Sequence, residues 1–239
     1  FHKSADISAA LNCVSTTTRT HSMKRNPFNT NHQLHYGPSF QGHQVLSNCG
    51  PLISNHLQRV HACFERSLHC HKRTCLMRVD LYIPPHAYPP AVNSNQFILK
   101  FFASLRAKIE HAQDQSTKLG HRVHQTDIRY IWCREVSSNG RVHYHVALLF
   151  NHDAYAFMGQ FSLDCRNMYA RLHEAWGAAL NMHPEDALGY VHIPDNPTYQ
   201  ITSANEESFQ QAFNRVSYFA KMQTKEYNQG FHTFGCSNN

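Results

Sequence analysis

Residues 127–150 read DIRYIWCREVSSNGRVHYHVALLF, and this stretch decides the fold. Two runs rich in β-branched and aromatic residues, 127–135 and 141–150, flank a Ser-Asn-Gly turn signal, so the segment is expected to be a β-hairpin. A three-residue loop of Ser138, Asn139 and Gly140, with Gly140 left-handed, pairs Ser137 with Arg141. That register sets Glu135 opposite His143 and Cys133 opposite His145. A two-residue Asn-Gly loop would instead oppose Glu135 to Tyr144. Period-2 alternation puts Val142, Tyr144, Val146, Leu148 and Phe150 on one face, expected to meet the helices. Arg141, His143, His145, Ala147 and Leu149 share the other. His143 and His145 then stand about 7 Å apart along the strand, where both imidazoles can converge on one ion. With Glu135 they make an N,N,O set suited to Mg²⁺ or Mn²⁺ shared with a phosphate. Cys133 is an alternative ligand that would favour zinc.

Outward from the hairpin, LMRVDLYI at 76–83 reads as a strand stopped by PPHAYPP. Helical spacing marks Asn95 to Gln113, Leu163 to Leu180 and Glu206 to about Tyr227, with a short strand from Ala187 to Ile193. Trp132 and Trp176 are expected in the core. The order β-α-β-β-α-β-α implies an α+β fold, a split βαβ (ferredoxin-like) antiparallel sheet with helices on one face. Residues 1–50, rich in Ser, Thr, Asn, Gln and His, are expected to be a mostly disordered polar arm. An accessory basic helix is expected over 51–74, the main domain over 75–230 and a tail over 231–239.

The last helix carries a second chemical signal. Its stripe is Phe209, Phe213, Val216 and Ala220, while Tyr218 lies about 180° from Phe209 at 100° per residue. Tyr218 is thus on the polar face, with Asn214, Lys221 and Lys225. Lys221, one turn along, places a cation where a phenolate or phosphate oxygen would need it. Tyr227, near the helix end, is a rival nucleophile.

EVSSNGRVHYHVALLF followed some seventy residues later by YFAK resembles the HUH nickases, the rolling-circle replication initiators and relaxases. Within them it is most similar to prophage and filamentous-phage (inovirus-type) initiators. The resemblance spans about residues 75–227 and implies the HUH endonuclease fold. It implies that His143, His145 and Glu135 bind a divalent metal, and that Tyr218, helped by Lys221, forms a 5′-phosphotyrosine with DNA. It also implies single-stranded or hairpin DNA at a replication origin, and host replication proteins, as partners. Two features depart from the family pattern: Tyr144 at the centre of the histidine triplet, and no second tyrosine one turn before Tyr218.

The chain has 239 residues, 41% hydrophobic and 16% charged, enough for one sizeable core. No apolar run reaches the roughly 20 residues that cross a bilayer, and residues 1–15 lack a signal-peptide pattern. The expectation is therefore a cytoplasmic protein with no membrane partner; because Phe1 stands first, a removed leader stays open. Twenty-two Lys and Arg against 16 Asp and Glu give +6, compatible with a polyanionic partner. Lys72, Arg73, Arg78 and Lys225 are candidate DNA-phosphate contacts. The eight cysteines form no CxxC pair and are expected to be reduced, and Cys63, His69, Cys70, His71 and Cys75 fit no standard zinc spacing. Two rival readings remain, a non-catalytic DNA-binding regulator and a metal-dependent nuclease that uses water.

Overall fold

The computed structural model describes residues 24–87 and 94–238. Before the central sheet come β1 (Arg25–Asn26), β2 (Asn29–His35), β3 (Ser39–Phe40), β4 (His43–Gln44), β5 (Leu52–Ile53) and α1 (Ser54–Cys70). The sheet and its helices are β6 (Arg73–Tyr82), α2 (Gln96–Lys118), β7 (Arg129–Val136), β8 (Val142–Asn151), α3 (Met168–Leu180), β9 (Val191–His192), β10 (Thr198–Thr202), α4 (Glu206–Ser217) and β11 (Phe234–Cys236). The fold is α+β, and the strand order is β10-β6-β8-β7-β11, with β9 also on the edge of β6. Every pairing in this sheet is antiparallel.

The expected alternation of β8 holds. Tyr144, Val146, Leu148 and Phe150 pack with Met77, Val79 and Leu81 of β6 and with Phe101, Leu105, Leu172 and Trp176 of α2 and α3. Trp132 belongs to the same core. Helices on one face only is the expectation that fails, because α1 and α4 cover the opposite face. Leu57, Val60 and Phe64 of α1 and Phe209, Phe213 and Val216 of α4 lie there against Leu76, Ile131, Ala147 and Leu149. Each such side chain, when fully buried, contributes about 1.5–3 kcal/mol. Ala147 and Leu149 make the histidine face half apolar, and an uncovered apolar half-face would remain in water. Helix α1 is thus part of the core and not an accessory.

The polar arm expected over residues 1–50 is ordered from Lys24 onward, as strands β1 to β4, with β2 also paired to β5; residues 1–23 lie outside the described ones. The tail expected over 231–239 instead supplies β11, which closes the sheet against β7. Its Gly235 is needed sterically, because a Cβ there would meet the Trp132 indole at 2.5 Å. The short strand expected over 187–193 is a 3-10 turn plus β9, and β10 takes most of the β6 edge. Among the described residues, no helix is long and apolar enough to cross a membrane.

Candidate active site

The β7–β8 hairpin closes with the three-residue loop: Ser137 N donates to Arg141 O at 3.0 Å and Gly140 N to Ser137 O at 2.8 Å. Gly140 has φ +76°, the left-handed conformation that glycine adopts without a Cβ penalty. Glu135 therefore pairs with His143 and Cys133 with His145. The register brings the acid and both imidazoles to one face, under the end of α4.

Among the described residues, Glu135, His143 and His145 form the one group of three His, Cys, Asp or Glu side chains whose ligand atoms all lie within 4.8 Å of one another. The two Nε2 atoms are 3.2 Å apart, and His145 Nε2 is 3.6 Å from Glu135 Oε2. These separations suit donors about 2.0–2.2 Å from a shared ion. Across β6, Asp80 pairs with His145 and its Oδ1 lies 2.7 Å from His145 Nδ1. A proton held on Nδ1 by this carboxylate leaves Nε2 as the free donor, the arrangement that orients metal-binding histidines. Arg78 in turn donates to Asp80 at 3.0 Å. The residues thus fit a divalent cation.

Tyr218 enters from above. Asn205 caps α4 by accepting from Ser208 N at 3.2 Å, and Phe209, Phe213 and Val216 hold the helix against α1. The helix was expected to run to about Tyr227, but it ends at Ser217. Tyr218–Ala220 form a 3-10 turn, Lys221 is extended and bridges to Leu52, and Met222 N donates to Pro51 O at 3.0 Å. Three residues per 3-10 turn eclipse positions 218 and 221. Lys221 Nζ accordingly donates to Tyr218 OH at 2.6 Å and to Glu135 Oε2 at 3.3 Å. Tyr218 OH donates to the same carboxylate at 3.4 Å. Tyr227 is elsewhere: its OH donates to the Met222 carbonyl and its ring stacks on Phe28.

Burial would raise the Glu135 carboxyl, but the His145 contact and the Lys225 and Lys221 charges outweigh it and hold it at about 2. Asp80, penalised by burial yet bonded to His145 and Arg78, is also held at about 2. His145 loses by burial and gains more from Asp80 and Glu135, so its pKa rises; burial and the neighbouring His145 lower that of His143. Burial raises the Tyr218 phenol although Lys221 opposes it, and the same contact, with Glu135, raises Lys221 against its own burial. Burial pushes the Cys133 thiol up to about 12, so it stays protonated and is a poor rival ligand.

Two of the four candidate phosphate contacts are not surface groups. Arg78 is buried on Asp80 with its guanidinium over the Phe219 ring, and Lys225 is buried with Nζ 3.8 Å from Glu135 Oε1. Lys72 and Arg73 are exposed, with Arg73 paired to Asp153. They sit at the other end of β6, seven residues or about 23 Å from Asp80. Cys63 and Cys75 lie in the cores on opposite sheet faces, which disperses the cysteine-histidine cluster. Asp80 went unnoticed in the sequence because its role appears only once β6 is paired with β8.

The model of the YagK/YfjJ C-terminal domain family matches residues 37–237. The "Uncharacterized protein YagK" of Escherichia coli strain K12 is 33% identical over 180 residues, 69% of this chain and 83% of that protein. The "Uncharacterized protein YfjJ" of the same strain is 30% identical over 203 residues, 80% of this chain and 97% of that protein. No solved structure matches the chain.

Proposed function

The chain belongs to the YagK/YfjJ C-terminal domain family, and we propose that it nicks and rejoins single-stranded DNA through a covalent phosphotyrosine, as an HUH-type initiator of rolling-circle replication. The observation that carries this reading is the Tyr218 hydroxyl, 2.6 Å from a lysine ammonium and bonded to the carboxylate of a His, His, Glu cluster. Strand order supports it, since β8 lies between the parallel β6 and β7 as in a split βαβ unit.

In the proposed reaction Tyr218 Oη attacks the scissile phosphorus and forms a P–O bond. The P–O3′ bond breaks, the 5′ phosphate stays on the tyrosine, and the phenol proton ends on the departing 3′ oxygen. Glu135 at about pKa 2 is too weak a base to retain that proton. Lys221 carries the transition state instead, its ammonium facing charge that develops on the phenol oxygen. Rejoining is the reverse. Mg²⁺ or Mn²⁺ held by His143, His145 and Glu135 would polarise the phosphate oxygens. Arg78, Lys221 and Lys225 outnumber the carboxylates of Asp80 and Glu135 around this cluster, a balance that favours an anion. Because α1 and α4 cover the histidine face, the strand is read as crossing the rim at Tyr218 and Tyr82, not the open sheet.

The test is incubation of the chain with end-labelled single-stranded DNA and Mn²⁺, followed by denaturing electrophoresis. A covalent protein–DNA band lost with EDTA and in Tyr218→Phe is expected. Cleavage without any band would favour a water-using nuclease, and DNA retention without cleavage a regulator.

A further inference from the structure

A pocket of about 330 Å³ opens between the β2 strand, the start of α1 and residues 226–234. The chain ties it to the catalytic cluster, because Glu226 and Tyr227 of its wall directly follow Lys225, whose Nζ is 3.8 Å from Glu135. Its lining is amide and aromatic more than charged. Asn29, Asn31, Asn55 and Asn228 contribute amides, and Tyr227 and Phe231 contribute half-buried rings. The Asn31 and Asn228 amides make no side-chain hydrogen bond among the described residues. Tyr227 is braced by Phe28, their rings stacked at 5.6 Å. The floor is His56, stacked on Phe234 at 4.1 Å and edge-on to His32 at 5.0 Å. His56 is 6% exposed, and the Nδ1 atoms of both histidines are buried without a hydrogen-bond partner. Of the two charged lining groups, Glu226 is engaged by Arg134, and Arg59 stands at the exposed rim.

Amides offer a donor beside an acceptor, the pattern that matches a nucleobase edge, and aromatic rings offer it a stacking plane. The volume lies at the lower end for small-ligand sites. An inorganic anion would meet a lining with one cation not held by a carboxylate among the described residues, Arg59 at the rim, and its guanidinium lies over the Phe234 ring at 5.4 Å. We propose that this pocket receives one nucleobase of the bound single strand, the base beside the phosphate that Tyr218 attacks, and reads its hydrogen-bonding edge. The assignment rests on the nicking reading above. It gives the N-terminal strands a role in choosing where the strand is cut, with Arg59 at the rim facing the backbone of the same nucleotide.

The experiment uses the full chain carrying Tyr218→Phe, so that bound DNA remains uncut. It is incubated with single-stranded oligonucleotides randomised over their length, and retained molecules are sequenced. One position is expected to show a base preference that falls about tenfold in Asn31→Ala and in Tyr227→Leu. Asn31 is exposed and its side chain holds nothing in place, so that variant folds whatever happens to Tyr227→Leu. Retained DNA with no positional preference, or a preference unchanged in Asn31→Ala, overturns the pocket and leaves the nicking reading standing. DNA retained by no form overturns the pocket alone. Covalent adduct formation by the parent chain reads the nicking activity separately.

Discussion

The Asp80 carboxylate lies 2.7 Å from His145 Nδ1, from the residue directly opposite across the β6–β8 pair. This contact orients the imidazole whose other nitrogen faces Glu135. Asp80→Asn keeps the volume but removes the charge that fixes the ring. Mn²⁺ affinity, measured by calorimetry, is expected to drop 10- to 100-fold with the fold retained. Unchanged affinity would remove Asp80 from the site.

Metal binding should release a proton. The His145 pKa is raised because Asp80 and Glu135 outweigh burial, so the metal-free ring is partly protonated near neutrality and an ion must displace that proton. Affinity is therefore expected to weaken as pH falls from 8 to 6. The binding enthalpy should change with the ionisation heat of the buffer. A buffer-independent enthalpy at pH 7 would contradict it.

Glu135 sits among Lys221, Lys225 and His145 and is itself buried. Its truncation leaves two buried cations without their carboxylate, a loss of about 3–5 kcal/mol by the measure of broken buried pairs. Glu135→Ala is therefore expected to lower the melting temperature as well as metal binding. The depressed pKa values of Glu135 and Asp80 carry a sign: their stabilisation is present above the unfolded carboxylate range and is lost as pH falls toward about 2. Acid unfolding followed by circular dichroism should show that loss diminished in Glu135→Gln.

Lys221→Met removes the ammonium 2.6 Å from the Tyr218 oxygen while keeping much of the stem that fills the site. Adduct formation is expected to slow by about 10²- to 10³-fold, as when one charge-stabilising donor is removed from an active site. Its pH profile should also move upward, because Lys221 no longer opposes the rise in the phenol pKa. An unaltered single-turnover rate would show that Lys221 only packs.

Gly235→Ala drives a Cβ to 2.5 Å from the Trp132 indole. A ring held in the core does not swing aside as a flexible side chain does. The cost expected is about 1–3 kcal/mol, read as a lower melting temperature with metal binding retained.

The hairpin sequence by itself narrowed the partner of Glu135 to His143 or Tyr144, because loop length and strand period are local quantities, and the hydrogen bonds of the three-residue loop chose His143. The hairpin alternation determined the inward face of β8 and the core position of Trp132, and the helical spacing of the later segments determined the core position of Trp176 and Tyr218 and Lys221 as a pair. Tertiary structure alone decided where the pair sits. The α4 pattern continues past Ser217, but β5 captures the chain at Lys221, and the resulting 3-10 turn points both side chains at Glu135. It also decided that Arg78 and Lys225 are buried counter-charges: Lys225 faces Glu135, distant in sequence, and Arg78, although only two residues from Asp80 on β6, is buried because Phe219 packs over its guanidinium. Helix α1 shows the same divide. Its apolar stripe is plain in the sequence, yet which surface it covers depends on Ala147, Leu149 and Ile131 meeting on one sheet face, and only strand pairing brings them together.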